Sequence, residues 1–198
     1  MTELQDPAAT IETYRRGLRA VLDDLSPDEI AGLIGLLAAA RDGGHCVFIV
    51  GNGGSASTAS HLACDLAKTV LGRHLDPGAT RFKVIALTDN MPLITAYGND
   101  VGFESVFAQP LRNLAEPGDV LIVISASGNS PNIVAALKAA RELGLRTGAL
   151  LGFAGGQAAE FADCAVIVRS DHYGYIEDAH MVLCHLLTEH FKTGVSRA

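Results

Sequence analysis

Three serines in six residues, followed by proline, form the most suggestive segment of this chain. They lie in Ser125-Ala126-Ser127-Gly128-Asn129-Ser130-Pro131. Ser130 suits a helix N-cap and Pro131 the first helical position, so a helix is predicted to start there with unpaired NH groups. Those NH groups, the helix dipole and the hydroxyls suit a phosphate, and Gly128 lets the backbone come close. A plain capped turn needs only one serine. A second segment, Gly51-Asn52-Gly53-Gly54-Ser55-Ala56-Ser57-Thr58, is ambiguous alone. Gly51-x-Gly53-x-x-Ala56 fits a dinucleotide fingerprint weakly. The acidic residue that this fingerprint needs is poorly supplied. Asp76 has the spacing but sits beside Pro77-Gly78, and Asp89 ends the next strand but lies too far along. No Gly-Lys-Ser/Thr follows, which excludes a Walker loop.

Groups able to move protons or hold a metal come next. His61 and Asp65 are four residues apart and share one face of the helix predicted to leave the first segment. That spacing suits metal ligands, a base with its orienting partner, or a plain surface pair. Glu177 and His185 lie eight residues apart on the last predicted helix, about 12 Å along its axis. They can serve one site only if the helix is irregular or if subunits share the site. His180 and His190 on the same helix suggest no role beyond packing or solvation.

Helical and strand-like patterns alternate around these groups. Ile11, Tyr14, Leu18, Val21 and Leu22 recur at helical spacing up to about Leu25. Ser26-Pro27-Asp28-Glu29 then caps a second helix through Ile30, Leu33, Leu36 and Leu37, ending at Gly43-Gly44. After it come short apolar runs, 46–50, 84–87, 120–124, 147–151 and 165–168, read as strands buried on both faces. Helical stretches separate them, clearest at Ile133, Val134, Leu137, Ala140 and Arg141, and a last helix is predicted from about Ile176 to Phe191. Five strands alternating with helices predict a doubly wound parallel α/β sheet, whose ligands bind at the carboxyl ends of the strands. Both loops follow such ends. No linker, low-complexity run or repeat divides the 198 residues, so a single domain is expected.

Composition narrows the function. A formal net charge of −7 argues against broad binding to nucleic acid or an anionic membrane, so a phosphate must be attracted locally. No basic-then-apolar leader and no spanning apolar stretch is visible. The four cysteines, Cys46, Cys64, Cys164 and Cys184, form no CxxC pair. A reduced, cytoplasmic setting is expected, with Cys46 and Cys164 buried as thiols.

Taken together, Gly51-Asn52-Gly53-Gly54-Ser55, His61 with Asp65, and Ser125-Ala126-Ser127-Gly128-Asn129-Ser130 resemble the sugar isomerase (SIS) domain family, in particular its phosphoheptose isomerase branch. The likeness spans nearly the whole chain, including the Gly98-Asn99-Asp100 segment, and makes 1–198 one SIS domain with a helical hairpin over 1–44. The resemblance implies a flavodoxin-like five-stranded sheet, a homotetramer and active sites shared between subunits. By motif position, Asn52, Gly53, Gly54, Ser55, Thr88, Asp89, Ser125, Ala126, Ser127 and Ser130 contact a sugar phosphate, with Asp65 and Glu177 beside them. His61, Asp65, Glu177 and His185 correspond to ligands of a zinc ion, one per subunit.

The resemblance also implies the chemistry: aldose–ketose isomerisation through an enediol, with Asp65 and His185 as the acid–base pair. Four positions depart from the family pattern. Asp65 stands where glutamate is usual, Glu177 where glutamine is usual and Ala126 where threonine is common, and the loop at Tyr173-Gly174-Tyr175 is short. Glu177 adds a charge that favours a metal and opposes a bare phosphate. The alternative is a non-catalytic SIS scaffold resembling the DnaA initiator-associating protein. Retention of His61, Asp65 and His185 favours the enzyme. A nicotinamide-dependent Rossmann enzyme rests on the first glycine loop alone.

Overall fold

The computed structural model describes residues 6–72 and 78–192; Asp76 lies outside the described residues. Two helices lead. Helix α1 (Pro7–Asp23) is capped by the Asp6 side chain, and α2 (Pro27–Gly43) by Ser26, whose hydroxyl accepts from the Glu29 NH at 3.3 Å. The helix α2 ends in a left-handed Gly44, φ 69°, as the paired glycines predict.

Five parallel strands follow, β1 (Cys46–Gly51), β2 (Lys83–Ala86), β3 (Val120–Ser125), β4 (Arg146–Gly152) and β5 (Cys164–Val168), in the order β2-β1-β3-β4-β5. The chain reverses direction across the sheet between β1 and β3, which pair from Val47 with Val120 to Gly51 with Ile124. This is the flavodoxin-like order, and its ligand crevice lies between those two strands.

Strand side chains alternate between two cores. Val47, Ile49, Ile122 and Ile124 face α2, α3 (Gly54–Ala67) and α8 (Tyr173–Phe191). Phe48, Val50, Leu121 and Val123 face α6 (Pro131–Glu142), with Phe107 and Leu111 of the connection before β3. Burial on both faces is therefore confirmed for β1 and β3. It does not extend to β2, an edge strand where Lys83 and Ile85 are exposed. The β2–β3 connection carries α4 (Met91–Asp100) and α5 (Ala108–Leu114), and α7 (Gly156–Phe161) joins β4 to β5.

Two boundaries differ from the periodicity. Leu87 leaves the strand and begins a 3₁₀ turn, Leu87–Asp89. Helix α8 starts at Tyr173, three residues before Ile176, because the imidazole of His172 caps it by accepting from the Tyr175 NH at 3.3 Å. Cys46 and Cys164 are half-buried rather than buried, at the starts of their strands. Burial still pushes the Cys46 thiol up to about 11.

Candidate active site

The two glycine- and serine-rich segments meet at the switch point. Gly53 takes φ 54° to turn the chain from β1 into α3, whose first turn has no side-chain cap. Asn52 is held across the crevice. Its amide exchanges two hydrogen bonds with Asn132, at 2.9 and 2.8 Å, and Asn132 is buried in the first turn of α6. That pair locks the β1 loop to the β3 loop, a role with no local signal in the residues.

The β3 loop folds back as a cradle. The Gly128 NH donates to Ser125 Oγ at 3.1 Å, and the Asn129 NH donates to Ser127 Oγ at 3.3 Å. Ser130 sits at the N-cap of α6 without a side-chain cap bond, which leaves its hydroxyl for a ligand. Gly128 has φ 64°, and a Cβ there would lie 2.0 Å from the Gly155 carbonyl, so a side chain is excluded. A cavity of about 190 Å³ opens here, lined by Asn52, Ser55, Ser125, Ala126, Ser127 and Ser130. Tyr173 and Glu177, from α8, line it too. No lysine or arginine does so among the described residues. The N-termini of α3 and α6 supply its positive potential. Larger hollows run along the exposed side of α1 and beside β2, away from both glycine- and serine-rich loops.

Helices α3 and α8 pack side by side and run in the same direction. Gly54 lies against Glu177, His61 against His185, and Asp65 against Thr188. His61 Nε2 and His185 Nε2 are 3.0 Å apart, and His61 Nε2 lies 3.3 Å from Asp65 Oδ2. The Thr188 hydroxyl donates to that same Oδ2 at 3.2 Å. The ligand atoms of His61, Asp65 and His185 all fall within 4.8 Å of one another. A tetrahedral zinc with bonds of about 2.0–2.1 Å holds two nitrogens roughly 3.3 Å apart, so two imidazoles and a carboxylate fit such an ion.

The structure thus brings His61, Asp65 and His185 together within one chain and puts Glu177 elsewhere. Glu177 stands at the start of α3, its Oε2 3.2 Å from where a Gly54 Cβ would be. The eight-residue separation on α8 is matched by the separation of the cavity and the cluster along α3. Thr88 and Asp89 form a third group at the end of β2. Ser60 of α3 donates to Asp89 and lies 3.3 Å from the Thr88 hydroxyl. Gly53 and Gly54 are exposed between the cradle and α3. His180 packs inside: it is 1% exposed, burial pushes its pKa down to about 4, and its Nε2 lies 3.1 Å from the Leu151 carbonyl. His190 is exposed beside Phe191.

A parallel sheet with a phosphate-suited cradle at its switch point defines an α/β phosphate-ligand protein, and sequence comparison gives its family. The SIS domain model matches residues 12–152, and the chain belongs to the SIS domain family. It is 37% identical over 186 residues to a phosphoheptose isomerase of Geotalea daltonii, covering 94% of each chain. It is 42% identical over 172 residues to one of Mycobacterium bovis, covering 86% of this chain and 85% of the relative. The solved phosphoheptose isomerase of Francisella tularensis superposes with a TM-score of 0.86 at 28% identity, covering 95% of this chain and 99% of that one. That of Neisseria gonorrhoeae gives 0.84 at 29%, covering 96% and 98%. Fold alone does not decide activity: the sugar isomerase domain of a transcription factor from Sphaerobacter thermophilus gives 0.65 at 23% identity. No helix among the described residues is long and apolar enough to cross a membrane.

Proposed function

We propose that this protein is an aldose–ketose isomerase converting sedoheptulose 7-phosphate to D-glycero-heptose 7-phosphate. One spatial relation carries the reading. The His61, Asp65 and His185 cluster begins six residues beyond Ser55 on α3, about 9 Å along the helix axis. An open-chain seven-carbon sugar, with its phosphate in the serine cradle, extends in that direction and brings its carbonyl end to the cluster. The relatives, named for this activity and matched along most of their length, support the same substrate. They disfavour the scaffold reading.

Asp65 is the base that takes the C1 proton of the ketose, giving a cis-enediol, and the proton is returned at C2. His185 moves the accompanying proton between the two oxygens. Oδ2 of Asp65 already accepts from Thr188, while Oδ1 takes no hydrogen bond among the described residues, which leaves it the oxygen to act on substrate. The hydroxyls of Ser125, Ser127 and Ser130 hold the phosphate, turning its binding energy into orientation of the far end. His61, Asp65 and His185 are the residues to hold zinc, which when bound polarises a carbonyl as a Lewis acid.

The protein works as a homotetramer with sites at subunit boundaries. Helices α1 and α4 bury no residue, and Ile11, Met91, Val101 and Phe103 stand exposed, so apolar surface is available to other copies. Four unpaired thiols support a cytoplasmic location.

The test is incubation of zinc-loaded protein with sedoheptulose 7-phosphate, followed by NMR of the anomeric protons. An aldoheptose 7-phosphate is expected. No conversion, with or without zinc, rejects this substrate.

A further inference from the structure

The first turn of α8 closes the open side of the serine cradle, and nothing in the reaction above uses it. Tyr173, the first residue of α8, is 57% exposed yet lines the cavity together with Ser125, Ser127 and Ser130. Its hydroxyl makes no hydrogen bond among the described residues, so a residue of the pocket's wall carries a good donor whose proton is uncommitted.

The ring is held in place. It packs edge-on against Phe153, with centroids 5.1 Å apart and planes at 71°. Phe153 is the one non-glycine residue with positive φ among the described residues, at 50°. Side chains disfavour that region, and residues kept there cluster at ligand sites. Three bonds fix the segment. The Phe153 NH donates to the Ser170 carbonyl at 3.2 Å, and the Gly152 NH donates to the Ala126 carbonyl at 2.9 Å. His180 holds the preceding Leu151 carbonyl at 3.1 Å. The end of β4 therefore joins the phosphate loop to Phe153, and Phe153 to Tyr173.

The cavity has a use for another donor. It contains no cationic side chain among the described residues, and one of its walls is the Glu177 carboxylate. Ser125 and Ser127 each accept a backbone NH, so each has one hydroxyl hydrogen left to give. Three serine hydroxyls do not saturate the three terminal oxygens of a phosphate monoester. A phenol is also a stronger O–H donor than an alcohol. We propose that Tyr173 is a substrate-binding residue donating its phenolic O–H to the phosphate, with Phe153 the positioning residue that holds it there. The identity of the sugar rests on the isomerase reading; the phosphate contact does not.

The experiment is calorimetric titration of inorganic phosphate into the wild type, Tyr173→Phe, Phe153→Gly and Phe153→Tyr, with KM and kcat for sedoheptulose 7-phosphate measured beside it. Tyr173→Phe keeps the ring and is expected to weaken phosphate by about fivefold or more, as loss of one hydrogen bond to a charged group requires. KM should carry the larger share of the kinetic loss. Phe153→Gly suits the backbone angle but removes the ring, and should weaken phosphate by about threefold or more, while Phe153→Tyr restores it. A Tyr173→Phe protein with wild-type phosphate affinity and KM overturns the proposal, as does a wild type that binds no phosphate. Phosphate binding that depends on Tyr173, in a protein that does not convert sedoheptulose 7-phosphate, rejects the isomerase and keeps the contact. Turnover indifferent to Tyr173→Phe does the reverse.

Discussion

Replacing Asp65 with asparagine separates catalysis from folding. The amide keeps the size of the side chain and can still accept from Thr188, but it has no useful basicity. A positioned general base contributes about 10²–10⁴ in rate, which is roughly 3–5.5 kcal/mol of barrier. The cost to stability is far smaller. The contacts at risk are the Thr188 hydroxyl at 3.2 Å and His61 Nε2 at 3.3 Å from Oδ2. Exchanging a charged acceptor for a neutral one there costs about 1 kcal/mol. In a chain of this size that lowers Tm by about 2–4 °C. Turnover by NMR, thermal melting and zinc content should be measured on the same preparation. The expected result is a kcat reduced by about 100-fold or more in a folded protein, with phosphate affinity unchanged because the cradle lies farther up α3. Loss of turnover with zinc retained isolates the base role of Asp65, and loss of both shows that it holds the metal as well. A folded Asp65→Asn protein with kcat within about threefold of wild type shows that Asp65 is not the base.

Three further outcomes are expected. Glu177→Gln removes the exposed carboxylate from the cavity wall and should tighten inorganic phosphate by about fivefold at low salt, an effect that salt diminishes; unchanged affinity in a titration would place the phosphate away from Glu177. Gly128→Ala forces a Cβ to within 2.0 Å of the Gly155 carbonyl at a positive φ, and should destabilise by about 2–3 kcal/mol in urea and abolish phosphate binding. His180 stays neutral in the folded chain down to about pH 4, whereas the unfolded chain protonates it near 6.5. Stability is therefore full above about pH 6.5 and falls by about 3 kcal/mol as pH drops to 4. His180→Gln, which can still donate to Leu151, should flatten that slope in urea titrations run across this pH range; an unaltered slope would assign it to other groups.

What could be read from the residues, and what could not, divides by range. The apolar runs of β1 and β3, the Ser26 cap and the start of α6 at Pro131 were legible because local sequence sets backbone preference and periodicity. The early start of α8 was not, since its cap is a histidine, His172, rather than a serine or aspartate. Nor was the exposure of β2, because an edge position is a property of the sheet and not of the strand. Asn52 shows the same limit at the site. It lines the cavity, and nothing local announces that its amide pairs with Asn132, 80 residues away.

Local residue order is enough to show that strands and helices alternate, that serines crowd one strand end, and that His61 and Asp65 share a helix face. Which groups work side by side depends on how the elements pack. The strand order puts the β1 and β3 loops next to each other, although β2 comes between them in the chain. Leu62 and Leu66 of α3 share one core with Leu183 and Leu187 of α8, and that packing fixes the register of the two helices. The register sets His185, and not Glu177, against His61, and it sends Glu177 to the phosphate cavity. The paired residues of α3 and α8 lie more than 100 positions apart, and no local periodicity records such a distance. It is chosen by how two apolar helix faces bury each other against the sheet.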